Sequence, residues 1–312
     1  VGGVLVLPAV AFALVAGTGG WQRLIRAATI ALAFAVPVGA YMGYYWTQTG
    51  EVGLNRGDAY LLYGRAATIV DCRGLDLPDY ERPLCPDEPL GQRRGVNDYA
   101  HQSTYPDRVV RPPGKSRDSI LRDFSRRVIV HQPLDFAKHV LTDFGKGFTW
   151  QRTEFAGDVP VERWQFQREY PVYEPEDPAR TIRQHGGGGG PHVSEPLAAF
   201  LRGYQLSVGY LPGSLLAVAF GAGLVAAVGV GRARRSGLRA ACALPTLCGL
   251  SIVLAADVFE FSWRYQLPAL VLVPLGGALA LTALTGWRES SPPGAGAAIA
   301  TTAGVGSPSS AS

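Results

Sequence analysis

The chain has 312 residues and a formal net charge of +4, with 47% hydrophobic and only 17% charged residues. A soluble domain carries about 25% charged residues; here the apolar residues gather in blocks at both ends and nearly all the charge lies between them. That split tells against a soluble two-domain protein and points to a membrane protein with one large hydrophilic insertion; no basic face interleaved with aromatics is present to bind nucleic acid.

Taken in order, five apolar stretches approach the roughly 20 residues that a helix needs to cross a bilayer. The first, VGGVLVLPAVAFALVAG, begins at Val1. It lacks the charged lead-in of a signal peptide, so the chain is expected to be the C-terminal part of a longer one. The second, LIRAATIALAFAVPVGAYMGYYW, ends in the aromatic belt Tyr44, Tyr45, Trp46. The others are GSLLAVAFGAGLVAAVGVG, GLRAACALPTLCGLSIVLAA and YQLPALVLVPLGGALALTAL. The expected fold class is an α-helical polytopic membrane protein of about five transmembrane helices with a mixed α and irregular insertion. The expected division is 1–46 as two transmembrane helices, 47–196 as an extracytoplasmic domain, 197–287 as a re-entry segment with three transmembrane helices, and 288–312 as a disordered cytoplasmic tail.

Orientation follows from arginine placement. Arg23 and Arg26 lie between the first two helices, Arg232, Arg234, Arg235 and Arg239 between the third and fourth, and Arg288 after the fifth. Putting these on the cytoplasmic side of the plasma membrane places residues 47–211 and the turn FEFSWRYQLP (Phe259–Pro268) on the outer face.

Within the insertion, LLYGRAATIV (Leu61–Val70) reads equally as strand or short helix. Ile120, Leu121, Phe124 and Val128 recur at helical spacing, as do Leu134, Phe136, Val140, Leu141 and Phe144, with Pro133 dividing the two runs. Ser116 or Asp118 can cap the first helix and Gly145 can end the second. Gly186–Gly190 reads as a flexible linker, and PLAAFLRGYQLSVGYLPG as an amphipathic return to the bilayer.

Cys72 and Cys85 lie on the oxidising face, which favours a disulfide worth about 3 kcal/mol in the chain-entropy model. Cys242 and Cys248, inside an apolar stretch, read as small packing residues. PPGKS (Pro112–Ser116) imitates a phosphate-binding loop, but Val109 stands where the first glycine is required. GAGLVAAVGVG imitates a dinucleotide fingerprint, yet its glycines read better as permitting close helix packing. His101, His131, His139, His185 and His192 have no metal-ligand spacing, and no G-x-S-x-G nucleophile elbow occurs.

Asp257, Glu260, Trp263, Arg264 and Tyr265 remain, between two apolar runs. One reading is an interfacial belt of aromatics with a snorkelling arginine. The other is an anion site: the Arg264 guanidinium holds a phosphate, the N-terminal amides of the last helix add to the attraction, Tyr265 and Trp263 stack on a sugar or line an isoprenoid tail, and Glu260 or Asp257 steadies Arg264 or contacts sugar hydroxyls.

WRYQLPALVLVPLGGALAL resembles the last helix-opening segment of GT-C-type polyprenyl-phosphate-dependent glycosyltransferases, the group of protein mannosyltransferases and aminoarabinose transferases. RRVIVHQPLDFAKHV is similar to their outer amphipathic helices, with Gln132 interposed between His131 and Pro133. LLYGRAATIVDC, PVERWQFQREYP and AAFLRGYQLSVGY look like actinobacterial membrane proteins of this type. The resemblance implies transfer of a sugar from a polyprenyl-phosphate donor to an extracytoplasmic acceptor. It implies donor-phosphate contacts for Arg264 and Tyr265; Glu260 joins them by spacing, and Trp263 as the ring that meets the sugar or the isoprenoid tail. It also implies a catalytic carboxylate in a first outer loop, expected upstream of Val1, with a divalent metal a possible cofactor of the full-length enzyme; the residues themselves identify no cofactor. The expected partners are the lipid bilayer and the donor lipid. The rival reading is a non-enzymatic envelope protein whose outer domain binds a partner or cell-wall polymer. A transporter half fits poorly, because the apolar stretches hold almost no interior charge.

Overall fold

The computed structural model describes residues 2–16, 19–50, 52–54, 57–169, 192–207, 209 and 211–286. The expected glycine linker, His185, Arg288 and the tail lie outside these residues. The described residues are helical, with short 3-10 turns and no strand among them. The α-helices are α1 (Val6–Val15), α2 (Gly20–Thr49), α3 (Asp58–Ile69), α4 (Arg117–His131), α5 (Pro133–Lys146), α6 (Glu195–Leu206), α7 (Gly213–Val228), α8 (Arg239–Asp257) and α9 (Leu267–Thr285).

Among the described residues, three helical segments are long and apolar enough to cross a membrane: Gly20–Thr49, Arg239–Asp257 and Trp263–Thr285. Three of the five expected spans meet that length, and the other two stretches also form apolar helices. The other two apolar helices are shorter, Gly3–Val15 and Gly213–Val228. The 16 residues of α7 reach about 24 Å at 1.5 Å per residue, short of the roughly 30 Å hydrocarbon core. Gly229, at φ 87°, ends α7 in the left-handed conformation that favours glycine.

Small residues bring α7, α8 and α9 together. A Cβ on Gly223 of α7 would sit 2.2 Å from Thr246 Oγ1 of α8, and one on Gly276 of α9 would sit 2.3 Å from the same atom. Thr246 therefore fills a slot between two glycines, the close approach expected of the glycine-rich stretch. Cys242 is fully buried in this core with Ala226, Ala280 and Ala283, a packing residue as expected. Pro37, Pro245 and Pro274 lie inside their helices, where neighbouring helices make proline tolerable.

The insertion has a core of its own. Tyr63, Ala66 and Ala67 of α3 pack against Ile120, Leu121, Phe124 and Val128 of α4, with Leu84, Tyr99 and Tyr105 from the intervening loops. The ambiguous LLYGRAATIV stretch is thus helical, because its apolar positions have a helical partner face in α4 and no strand to pair with among the described residues. Ser116 caps α4 by accepting a hydrogen bond from the Ser119 amide at 3.2 Å. Gly145 does not end α5, which continues to Lys146 with Gly147 as its cap. Cys72 and Cys85 form a disulfide, as expected. It clips the loop that follows α3, and Tyr63 donates its hydroxyl to Leu84 O beside it at 2.9 Å. The expected re-entry stretch contains the amphipathic helix α6, which leaves Leu197, Phe200, Tyr204 and Leu206 exposed.

The insertion and the turn between α8 and α9 share one end of the helical bundle. Gln266 donates to Gly147 O at 2.8 Å, and Trp263 donates to Thr153 O at 3.2 Å. The arginine link between α7 and α8 lies at the other end, because α8 runs from one to the other.

Candidate functional site

The turn FEFSWRYQLP begins where α8 stops and passes through a 3-10 turn (Trp263–Gln266) into α9. Its side chains divide between two environments, so the four residues expected to form one anion site do not all meet. Arg264 is exposed, and Tyr265 half-buried beside it. Glu260 and Trp263 are buried, at 6% and 5% exposure.

The outward half is an aromatic cradle for a guanidinium. Arg264 Cζ lies 4.4 Å from the Trp164 ring centroid and 4.8 Å from that of Tyr265, and Arg264 Nη2 donates to Tyr265 Oη at 2.8 Å. Arg264 forms no ion pair among the described residues. Neither Glu260 nor Asp257 is ion-paired with Arg264, although the Arg264 charge acts on Glu260; a neighbouring ring and hydroxyl contact the guanidinium. Arg264 also precedes α9 by one short turn, so its place is beside the helix start and not on the helix itself.

Trp164 was not singled out from the sequence. It sits in the aromatic segment with no period, about 100 residues before Arg264, in a loop that Gln205 of α6 pins. Gln205 Nε2 donates to Trp164 O at 2.9 Å, while its Oε1 accepts from the Phe166 amide at 2.9 Å. Next to this clamp lies a cleft of about 270 Å³ lined by Gln151, Arg152, Trp164, Gln165, Gln205 and Trp263. Trp263 contributes an edge of the cleft while its ring packs against Phe261 and Phe155 at 5.2 and 6.4 Å between centroids. Trp263, expected to stack on a sugar or line an isoprenoid tail, thus carries these rings as well as lining the cleft.

The inward half leads to a buried chain of charge. Arg65 of α3 is 2% exposed; it pairs with Asp143 of α5 and donates to Asp257 O at the end of α8 at 2.9 Å. Lys146 bridges Asp143 and Asp158, each at 2.7 Å, and lies 5.2 Å from the rings of Phe155 and Phe261. Burial works against the Lys146 charge, but the hydrogen bonds it donates to the two carboxylates prevail and raise its pKa. Burial raises Asp158 despite the same lysine. Removing charges from water costs several kcal/mol each, and pairing offsets this only when the geometry is good. Here the chain joins α3, α5, the loop at Asp158 and a membrane helix, so it ties the insertion to the bundle.

Glu260 extends this inner environment. Its Oε1 has no hydrogen-bond partner. Burial, countered by the positive charge of Arg264, raises its pKa from 4.5 to about 7. A carboxyl so placed is divided between its protonated and ionised forms near neutral pH.

Above the charge chain opens a second cleft of about 500 Å³, with Arg65, Asp143, Lys146 and Asp158 on its floor and Arg93 and His139 on its walls. Gly95 and Gly157 close its rim: a Cβ on Gly95 would lie 1.6 Å from Gly157 O, so the two loops touch backbone to backbone. None of these residues was legible as a site in the sequence. Arg65 stood inside a stretch of undecided structure, and Asp143 and Lys146 fall between the apolar positions that marked α5 in the sequence. Among the described residues no group of three or more His, Cys, Asp or Glu side chains is placed to hold a metal ion. Comparison with protein-family models, curated proteins and solved structures finds no match to this chain.

Proposed function

We propose that this chain is the donor-binding part of a membrane glycosyltransferase, taking a sugar from a polyprenyl-phosphate carrier to an acceptor on the outer face. The observation that supports this reading is the Arg264 cradle. A guanidinium without a carboxylate partner stands between Trp164 and Tyr265, at the start of a membrane-crossing segment. A lipid phosphate needs a fixed cation at the bilayer boundary, which the arginine fork supplies. A sugar needs a flat apolar face with polar groups at its rim; Trp164 and the glutamines of the adjoining cleft offer both. An isoprenoid tail needs an apolar surface below the phosphate, which the opening turns of α9 provide.

Tyr265 and Trp164 act together in this reading, because the ring contacts and the 2.8 Å hydrogen bond fix the direction of the guanidinium before a ligand arrives. Each such cation–ring contact contributes about 0.5–1 kcal/mol at an exposed site. Trp263 supports the cleft from beneath. Glu260, near Arg264 and poised close to neutral pH, adjusts the charge felt by the phosphate. The group that takes the acceptor's proton is not assigned to any residue of this chain.

The test is binding of a short-chain polyprenyl-phosphate sugar to the protein in nanodiscs. Arg264→Ala is expected to abolish binding while leaving membrane insertion intact. Arg264→Lys restores it only in part, for want of the fork. Unchanged binding in Arg264→Ala sinks the reading and leaves the interfacial belt as the role of this turn.

A further inference from the structure

We propose that the opposite end of the bundle carries a site for the phosphodiester headgroup of an anionic glycerophospholipid. The site is built from the link between α7 and α8. This link is a short 3-10 turn (Gly231–Arg235) whose middle residue, Ala233, is fully buried among Ala226, Cys242, Ala280 and Ala283. Anchoring the turn by its alanine throws Arg232, Arg234 and Arg235 outward, and all three are exposed. Arg232 donates to Thr285 O, the last carbonyl region of α9, at 3.1 Å. Arg239 donates to Ala227 O and Val228 O at the end of α7, at 3.2 and 2.9 Å. Two of the four arginines are thus fixed by helix-end carbonyls, whose partial negative charge suits a cation.

Arg234 and Arg235 have no such anchor among the described hydrogen bonds, and no acid is near in sequence to pair with them. No Asp or Glu occurs from residue 213 to 256 or from 267 to 286. Between the turn and the end of α9 lies a cleft of about 570 Å³ lined by Arg232, Arg235, Ser236, Leu238, Thr282 and Ala283. The two arginines line it from the turn, and Leu238, just before α8, with Thr282 and Ala283 of α9 supplies apolar carbons. That combination suits a molecule with a phosphate at one end and acyl chains at the other, and basic pockets between membrane helices take such headgroups. A soluble anion would use the arginines but not the apolar floor.

The experiment places the full chain in phosphatidylcholine nanodiscs and titrates phosphatidylglycerol, counting retained lipid by native mass spectrometry. One phosphatidylglycerol per chain is expected to be retained saturably. The double variant Arg232→Gln/Arg235→Gln weakens this by about thirtyfold, given the contribution of each basic residue to anionic-lipid attraction. Lysine at both positions keeps part of it. Arg23→Gln/Arg26→Gln removes equal charge elsewhere and leaves it intact. Equal weakening by both glutamine pairs reduces the effect to bulk charge and overturns the proposal. Displacement of the lipid by equimolar glycerol 3-phosphate overturns it too, in favour of a site for soluble phosphate esters.

Discussion

Glu260→Gln isolates the acid that the turn buries. The carboxyl is 6% exposed, with one oxygen lacking a partner, and burial lifts its pKa from 4.5 to about 7. The native state therefore holds this proton more tightly than the unfolded chain does. Stability from the protonated form is present below about pH 4.5 and is lost as pH rises through about 7. The gap between those values corresponds to about 3 kcal/mol. Arg264 lowers the pKa and Asp158 raises it, while Arg65 and Arg163 lower it at longer range. All four remain in the glutamine variant, so subtraction leaves the Glu260 contribution alone. Glutamine keeps the size and cannot ionise. Thermal unfolding followed by tryptophan fluorescence, from pH 5 to 8, should show the wild type losing stability relative to the variant across that range. Parallel curves would mean that Glu260 keeps an ordinary carboxylate pKa, and the assignment of this side chain to the buried face would be wrong.

The charge chain makes a second prediction: Asp143→Asn leaves Arg65 and Lys146 short of a counter-charge and should cost about 3–5 kcal/mol, whereas Arg65→Met/Asp143→Leu should recover much of it. Equal stability of the single variant and the wild type in chemical denaturation would contradict a buried pair. Reduction of Cys72–Cys85 should lower the unfolding free energy by about 3 kcal/mol. Both thiols should accept a maleimide mass tag only after reductant is added, and labelling before it would remove the bond. At the cleft rim, Gly95→Ala places a methyl 1.6 Å from Gly157 O. The loops must part, with a loss of about 1–3 kcal/mol, and limited proteolysis near residue 157 should become faster; unchanged cleavage would show that the loops do not touch.

Apolar blocks of the right length, the proline division at Pro133, the Ser116 cap and the pairing of Cys72 with Cys85 were all legible in the sequence, because each depends on residues close together along the chain or on the chemistry of one face. The helical state of Leu61–Val70 was not, since an apolar run of that length suits strand or helix until its partner is known; α4 supplied the partner face. The number of long spans depended on where helices stop, and a left-handed glycine at position 229 decided that for α7.

The turn Phe259–Pro268 shows the same division. Its composition marked Arg264, Tyr265, Glu260 and Trp263 as residues with something to do, because charge beside apolar runs is costly unless it is used. Their local spacing could not say which way each would face. That was decided by the insertion: Gly147 and Thr153 hold Gln266 and Trp263 inward, and the loop pinned by Gln205 brings Trp164 to Arg264 from outside. Length, hydropathy and cysteine chemistry act through neighbours in the chain, and a sequence carries them openly. Pairing Arg65 with Asp143, 78 positions away, depends on the packing of helices that meet only in the folded molecule.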